Sequence, residues 1–319
     1  MRIFRSLAEV PADFGPSAIT IGNFDGVHLG HRQILKRVRE LAAVNGWHAS
    51  VLTFDPHPTA VVAPHRTPRL LTLPEERLAL MAEEGIEQAL ILPFDRSVAG
   101  LAPDRFARQL LVDRLGTRAV LVGDNFCFGK NQTGNTAVLR ELGERMGFTV
   151  ELVDAVACRG QLVSSSAIRE SIRSGDVATA ARFLKRPYLL EGEVVSGRGL
   201  GSRQTVPTLN LATKAAMIPA NGVYLTRTRD LDDSRRWNSL TNIGYRPTFG
   251  ESGQLSIETY LLNGFSGDAP KRIAVEFLKR VRAEQRFASA EELKARIGQD
   301  AAIAGRFFRR LKKWIRPQR

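Results

Sequence analysis

His28 and His31 stand three residues apart at the end of residues 22–31, GNFDGVHLGH, between an apolar run at residues 18–21 and an amphipathic segment at 32–44. That succession predicts a strand, a polar loop and a helix. Gly22 and Gly26 let the backbone come close to a ligand, and a helix opening near Gly30 turns unpaired N–H groups and a positive dipole end toward an anion. Once the chain is helical, both imidazoles lie on one side of that opening and can donate to phosphate oxygens, with Asn23, Phe24 and Asp25 in the same loop. A plain strand-to-helix turn carrying two surface histidines fits this loop equally well. Its neighbours have to decide.

Three further stretches carry suitable chemistry. Residues 55–58, DPHP, contain His57; residues 123–129, GDNFCFG, contain Asn125; residues 163–169, VSSSAIR, place Ser164, Ser165 and Ser166 before a helical segment with Arg169 in its first turns. One serine is enough to cap a helix, whereas three hydroxyls with an arginine make a better phosphate clamp. A different pattern follows at residues 197–210, GRGLGSRQTVPTLN. Gly197, Gly199 and Gly201 miss the spacing of a dinucleotide fingerprint, but they lead into Thr208 and Asn210, oxygen ligands on one side of a strand that suit Mg²⁺ and nucleotide phosphates. Glu258, in the middle of SIETYLL, is the candidate general base there, and Arg246 in a nearby turn can close the site.

The elements that must position these residues fall into two rhythms. Apolar runs at 18–21, 50–54, 88–92, 119–122 and 149–153 alternate with helical-period segments at 32–44, 74–84, 103–115 and 135–146. This predicts a parallel, doubly wound α/β sheet of five strands whose ligands bind beyond the strand C-terminal ends, where the loops at 22, 55 and 123 all fall. Two more helices, at 164–173 and 177–184, close that part. Past Pro187 the runs at 189–195, 222–229, 235–243, 254–262 and 272–282 follow one another with no helix between them, which predicts an antiparallel sheet or barrel. A final helix after Ser289 is expected to show Leu293, Ile297, Ile303 and Phe307 along one face. The expected domains are 1–186 and 187–319.

Composition narrows the classes. A chain of 319 residues has room for two cores, and the segment after Met1 has no apolar run of signal-peptide or membrane-span length, so a cytoplasmic protein is expected. Cys127 and Cys158 form no CxxC pair and are expected to be reduced. The net charge of +13 is spread along the chain except in the basic stretch at 306–319, which is taken as a solvated helix end. Polyanionic small ligands account for that charge as well as nucleic acid does, so neither a nucleic-acid nor a membrane partner is expected; the oligomeric state is left open.

With both halves in view, the chain resembles the prokaryotic bifunctional riboflavin kinase/FMN adenylyltransferases. The resemblance is carried by GNFDGVHLGH, TFDPHP, GDNFCFG and VSSSAIR in the first half, and by PTLN at 207–210, GVY, NIGYRPTF, IETYLL and FASAEELKARIGQD in the second. It implies a Rossmann-like nucleotidyltransferase domain followed by a Greek-key barrel with a C-terminal helix. Riboflavin and ATP would give FMN in the barrel, with Glu258 as base, Thr208 and Asn210 as Mg²⁺ and phosphate ligands, and the loop of Gly197, Gly199 and Gly201 over the phosphates. FMN and a second ATP would give FAD and pyrophosphate in the first domain, with His28 and His31 on the triphosphate and Ser165, Ser166 and Arg169 as a second clamp. Gln204, Thr205, Val206, Leu209 and Tyr260 depart from the family pattern. Alternative readings are an adenylyltransferase whose barrel only senses flavin, and a basic nucleic-acid-binding protein on this scaffold.

Overall fold

A computed structural model of the chain describes residues 1–195, 208–246, 254–262, 264, 267–285 and 287–315. Gly197, Gly199, Gly201, the residues 204–207 and the end of the basic tail at 316–319 lie outside the described residues, as does the side chain of Arg246. By its internal contacts the chain divides into two compact units, Met1–Ser165 and Ser166–Arg319.

In the first unit, β1 (Arg2–Phe4), β2 (Ser17–Ile21), β3 (His48–Asp55), β4 (Gln88–Pro93), β5 (Thr117–Gly123) and β6 (Thr149–Val153) form one sheet in the order β1-β4-β3-β2-β5-β6. Every pairing is parallel. The sheet has six strands where five are expected. The extra one, β1, is a three-residue edge strand with no buried side chain, too short to show a period of two. Helix α1 (Leu29–Asn45) follows β2; the short α2 (Pro58–Val62) and then α3 (Pro74–Glu83) follow β3; the one-turn α4 (Arg96–Ala99) follows β4. The helix expected at 103–115 is α5 (Pro103–Arg105) running into a π-helical stretch, Phe106–Val112, and α6 (Thr136–Met146) precedes β6. A small ribbon, β7 (Ala157–Cys158) and β8 (Gln161–Leu162), ends the unit. Both cysteines are free thiols.

Strand β2 is buried along its whole length, because the sheet is covered on both faces. Ala18 joins Leu35, Val38 and Ala42 of α1 and Leu78 and Met81 of α3 on one side. Ile19 and Ile21 join Phe106, Leu110 and Leu111 and Leu139 and Leu142 of α6 on the other. The strand order reverses at β2, which has β3 on one flank and β5 on the other, so the loops after these three strands share one edge.

In the second unit, α7 (Ser165–Ser174) and α8 (Val177–Leu184) precede a closed antiparallel barrel of β9 (Tyr188–Val195), β10 (Leu209–Thr213), β11 (Gly222–Asp230), β12 (Arg236–Arg246), β13 (Gln254–Leu261) and β14 (Arg272–Arg282), in the order β10-β13-β12-β11-β14-β9. Helix α9 (Ala290–Ile315) packs Ala304 and Phe308 on Val223, Leu225 and Leu240. The expected stripe holds in part: Phe307 packs half-buried against this cluster and Leu293 and Ile297 line a cavity beside it, whereas Ile303 is outside the cluster, because six residues from Ile297 overshoot the face that Ile297, Asp300, Ala304 and Phe308 keep at steps of three and four. No described helix is long and apolar enough to cross a membrane.

The barrel interior carries a row of hydroxyls. Thr226 Oγ1 lies 2.8 Å from Ser239 Oγ and 2.9 Å from Thr241 Oγ1, Thr228 reaches Ser239 at 2.8 Å, and Thr241 reaches Thr259 at 3.0 Å. All five are fully buried, so the row satisfies polar atoms that have no water. Thr226→Val keeps the shape and removes the central hydroxyl; urea unfolding is expected to show the barrel destabilised by about 1–3 kcal/mol.

Candidate active sites

The first site is built on the loop after β2. Its backbone is unusual: Phe24 and Val27 have φ of +50° and +40°, a region bulky residues avoid. Both side chains are buried in the core under α1, so packing holds them there. Between them Asp25, 2% exposed, accepts from the backbone N–H of Leu71 (2.9 Å) and Thr72 (3.1 Å) and from the Thr72 hydroxyl. Gly26 N–H in turn donates to Thr72 Oγ1 at 3.0 Å, and Ser165 Oγ donates to the Asp25 carbonyl at 2.9 Å. Phe24 and Asp25, expected to touch a ligand, therefore hold the loop from inside with their side chains.

The other polar side chains of this stretch are Asn23 and His31, both half-buried, and His28, which is buried. The Asn23 amide lies 3.1 Å from His57 Nε2, while His57 Nδ1 accepts the Thr59 N–H at 3.2 Å. A ring that accepts at Nδ1 carries its proton on Nε2, so the amide oxygen belongs on that side and the amide NH₂ turns away from it. His28 is the N-cap of α1. Its Nδ1 accepts the His31 N–H at 3.4 Å, which likewise puts the proton of a neutral ring on Nε2. The two rings stack with centroids 3.7 Å apart, and a Cβ on Gly30 would press within 3.3 Å of the His28 ring. Burial, the neighbouring His28 and the Arg77 guanidinium hold His31 well below the ordinary imidazole value. The pair thus sets two stacked imidazoles at the opening of α1.

Asn125 is exposed on the loop after β5, at the same sheet edge, and Gly22 donates its N–H to Leu52 O. Ser164 and Ser165 end the first unit; Ser166 and Arg169 belong to the second.

The second site lies on the outer face of the barrel. Glu258 on β13 stands directly opposite Asn210 on β10 and directly opposite Asn242 on β12, so the carboxylate is the centre of a three-strand polar row. Ser256 Oγ donates to Glu258 Oε1 at 2.9 Å and orients the carboxylate. Thr208, exposed, precedes Leu209, which is buried in the barrel, so Thr208 and Asn210 share the outer face as the period of two requires. Thr208, Asn242, Glu258 and Tyr260 line a cavity of about 240 Å³ whose far wall includes Phe287, Leu293 and Ile297. Asp300, also on that wall, pairs with Arg282 at 2.9 Å and ties α9 to the end of β14. A polar row facing an apolar, aromatic wall suits a flat ring system carrying a hydroxylated chain.

Residues 10–167 match the family model for FAD synthetase, and residues 184–308 match that for riboflavin kinase. A bifunctional riboflavin kinase/FMN adenylyltransferase of Pseudomonas fluorescens is 37% identical over 305 residues, covering 95% of this chain and 97% of the relative. The chain belongs to this family. The enzyme of the same name from Escherichia coli K12 is 34% identical over 97% of both chains, and that from Bacillus subtilis is 31% identical over 93% of this chain and 94% of the relative. A solved structure titled as a macrolide-efflux protein from Streptococcus pneumoniae superposes with a TM-score of 0.83 at 22% identity over 95% of this chain and 97% of its own, a likeness of fold.

Several residues that shape these candidate sites escape a sequence reading. Leu71, Thr72 and Arg77 hold the first loop from 46 or more residues away; the available signal is a charged residue among Leu78, Leu80 and Met81 on the buried side of α3. Asn242 and Phe287 become site residues through strand register and helix docking.

The depressed His31 value has a stability consequence. Below 6.5 the unfolded chain protonates this imidazole while the folded one does not, so its contribution is full above 6.5 and falls as pH drops from 6.5 toward the lower folded value. Urea midpoints measured at pH 7.5, 6.5 and 5.5 are expected to fall less steeply for His31→Gln than for the parent chain.

Proposed function

We propose that residues 1–186 transfer the adenylyl group and residues 187–319 phosphorylate the flavin, so that one chain converts riboflavin to FMN and FMN to FAD. The observation that carries the kinase assignment is Glu258, oriented by Ser256 and flanked by Asn210 and Asn242 on the polar side of an aromatic-lined cavity. The isoalloxazine ring packs toward Phe287, Leu293 and Ile297, which brings the ribityl terminus to the polar row. Glu258 takes the proton of the terminal hydroxyl as that oxygen attacks the γ-phosphorus of ATP, and ADP departs.

Both reactions of the family use ATP with a divalent metal. We assign Mg²⁺ to the kinase site, with Thr208 and Asn210 as its protein ligands: two neutral hard oxygens on one exposed face match an ion that keeps most of its shell as water and phosphate. When bound, the ion neutralises the charge of the transferring phosphates. Thr208 and Asn210 fix where the phosphates enter, and Glu258 fixes where the hydroxyl meets them.

In the first unit a phosphate oxygen of FMN attacks the α-phosphorus of ATP and pyrophosphate leaves. The α1 opening with His28 and His31 receives the triphosphate, and Asn23 offers its amide NH₂ on the same loop. Imidazole N–H donors there stabilise charge that builds on the leaving pyrophosphate, and no covalent enzyme intermediate is required.

Glu258→Gln is expected to lower FMN formation from riboflavin by about 10²–10⁴-fold while FAD still forms when FMN is supplied. His31→Ala is expected to do the reverse, with FMN accumulating and FAD formation lowered by about 10²-fold or more. Chromatographic separation of riboflavin, FMN and FAD checks both; loss of both activities in either variant, with the chain still folded, overturns the assignment of separate sites.

A further inference from the structure

Arg77 on α3 is 3% exposed, and its Nη1 donates to the Asn23 carbonyl at 2.8 Å. Its Nε is buried with no hydrogen-bond partner among the described residues. The charges that face it are Asp25 from the loop, Asp55 from the end of β3 and Glu75 from its own helix, with His31 on the opening of α1. Burying a guanidinium is costly, and a neutral donor would make the one bond to Asn23 more cheaply. What the cation adds is a counter-charge to the buried Asp25 carboxylate and to Asp55 in a low-dielectric interior beneath the loop, where water and salt screen it far less than a surface arginine. His31 responds to that charge, which is among the causes that hold its imidazole neutral. Asn23 is also the residue before the first positive-φ position, so the carbonyl that Arg77 holds sets the entry to the Phe24–Val27 turn.

We propose that Arg77 is a positioning residue for adenylyl transfer: its guanidinium fixes the Asn23 carbonyl, and with it the turn that sets the Asn23 amide against His57, and it balances the buried Asp25 carboxylate of the same loop. This rests on the reading of the loop as the ATP site. Arg77 touches no substrate; it acts through Asn23 and through its field.

The test uses the full chain with Arg77→Met, which removes donor and charge, and Arg77→Lys, which keeps both. Arg77→Met is expected to lower kcat/KM for ATP in FAD formation by about tenfold or more, with FMN formation from riboflavin within about twofold of the parent. The His31 ring, followed by NMR titration, is expected to move toward 6.5 in Arg77→Met, and Arg77→Lys to restore both activity and titration. FAD formation by Arg77→Met within about twofold of the parent, an unmoved His31, or equal impairment of the Lys and Met variants each overturns the proposal. If Arg77→Met does not fold, Arg77→Leu replaces it with the same expectations. A parent chain that makes no FAD from FMN and ATP overturns the site reading itself, whereas a parent that makes FAD alongside an equally active Arg77→Met overturns the role of Arg77 alone.

Discussion

The first site depends on one buried carboxylate. Asp25 is shut off from water, and a charge in that position costs several kcal/mol unless its lone pairs are filled. Two backbone N–H groups and a hydroxyl from Leu71 and Thr72 fill them, each charge-assisted bond contributing about 1.5–3 kcal/mol. With Asp25 satisfied, the turn around it can keep Phe24 and Val27 at positive φ, and the loop delivers Asn23 to His57 and His28 to the start of α1. The polar face outside is a consequence of the polar bonds inside.

The histidine pair shows how the same economy tunes chemistry. His28 accepts the His31 N–H as a helix cap, so it holds its cap only while Nδ1 is unprotonated; His31 sits against it and beside a buried arginine. Burial acts with those two neighbours to hold the His31 imidazole below its ordinary value, and the first turn of α1 leaves backbone N–H groups without helical partners beside it.

In the barrel the constraint is the pleat. Alternation sends Leu209, Ile257 and the hydroxyls of Thr241 and Thr259 inward, and it sends Asn210, Asn242, Glu258 and Tyr260 to the outer face, the last three lining the cavity beside α9. Leu209, a departure from the family's pattern at that position, is therefore a barrel-core residue, and Tyr260 stands on the cavity wall. Closing the cavity takes α9, whose Asp300–Arg282 pair anchors the helix beside its apolar stripe.

Much of this is legible in the sequence alone. Period and punctuation locate five of the six parallel strands, the helices between them and the change to an antiparallel barrel after Pro187, because long buried strands and amphipathic helices write their periods locally. GNFDGVHLGH, Thr208, Asn210 and Glu258 mark the chemistry for the same reason: glycines, histidines and a mid-strand carboxylate are conspicuous against an apolar background. The edge strand β1 leaves too little periodicity to detect, and the helical period over 103–115 does not distinguish the π-helical stretch within it. What only tertiary structure decided is which side chains of a motif turn into the core and which do not. Phe24 and Asp25 turn inward because the core under α1 and the amides of Leu71 and Thr72 are there to receive them. Asn242 meets Glu258 through strand register, and Arg77 reaches Asn23 across 54 residues of chain; contacts between distant segments are set by packing of the whole unit, and no local pattern encodes them.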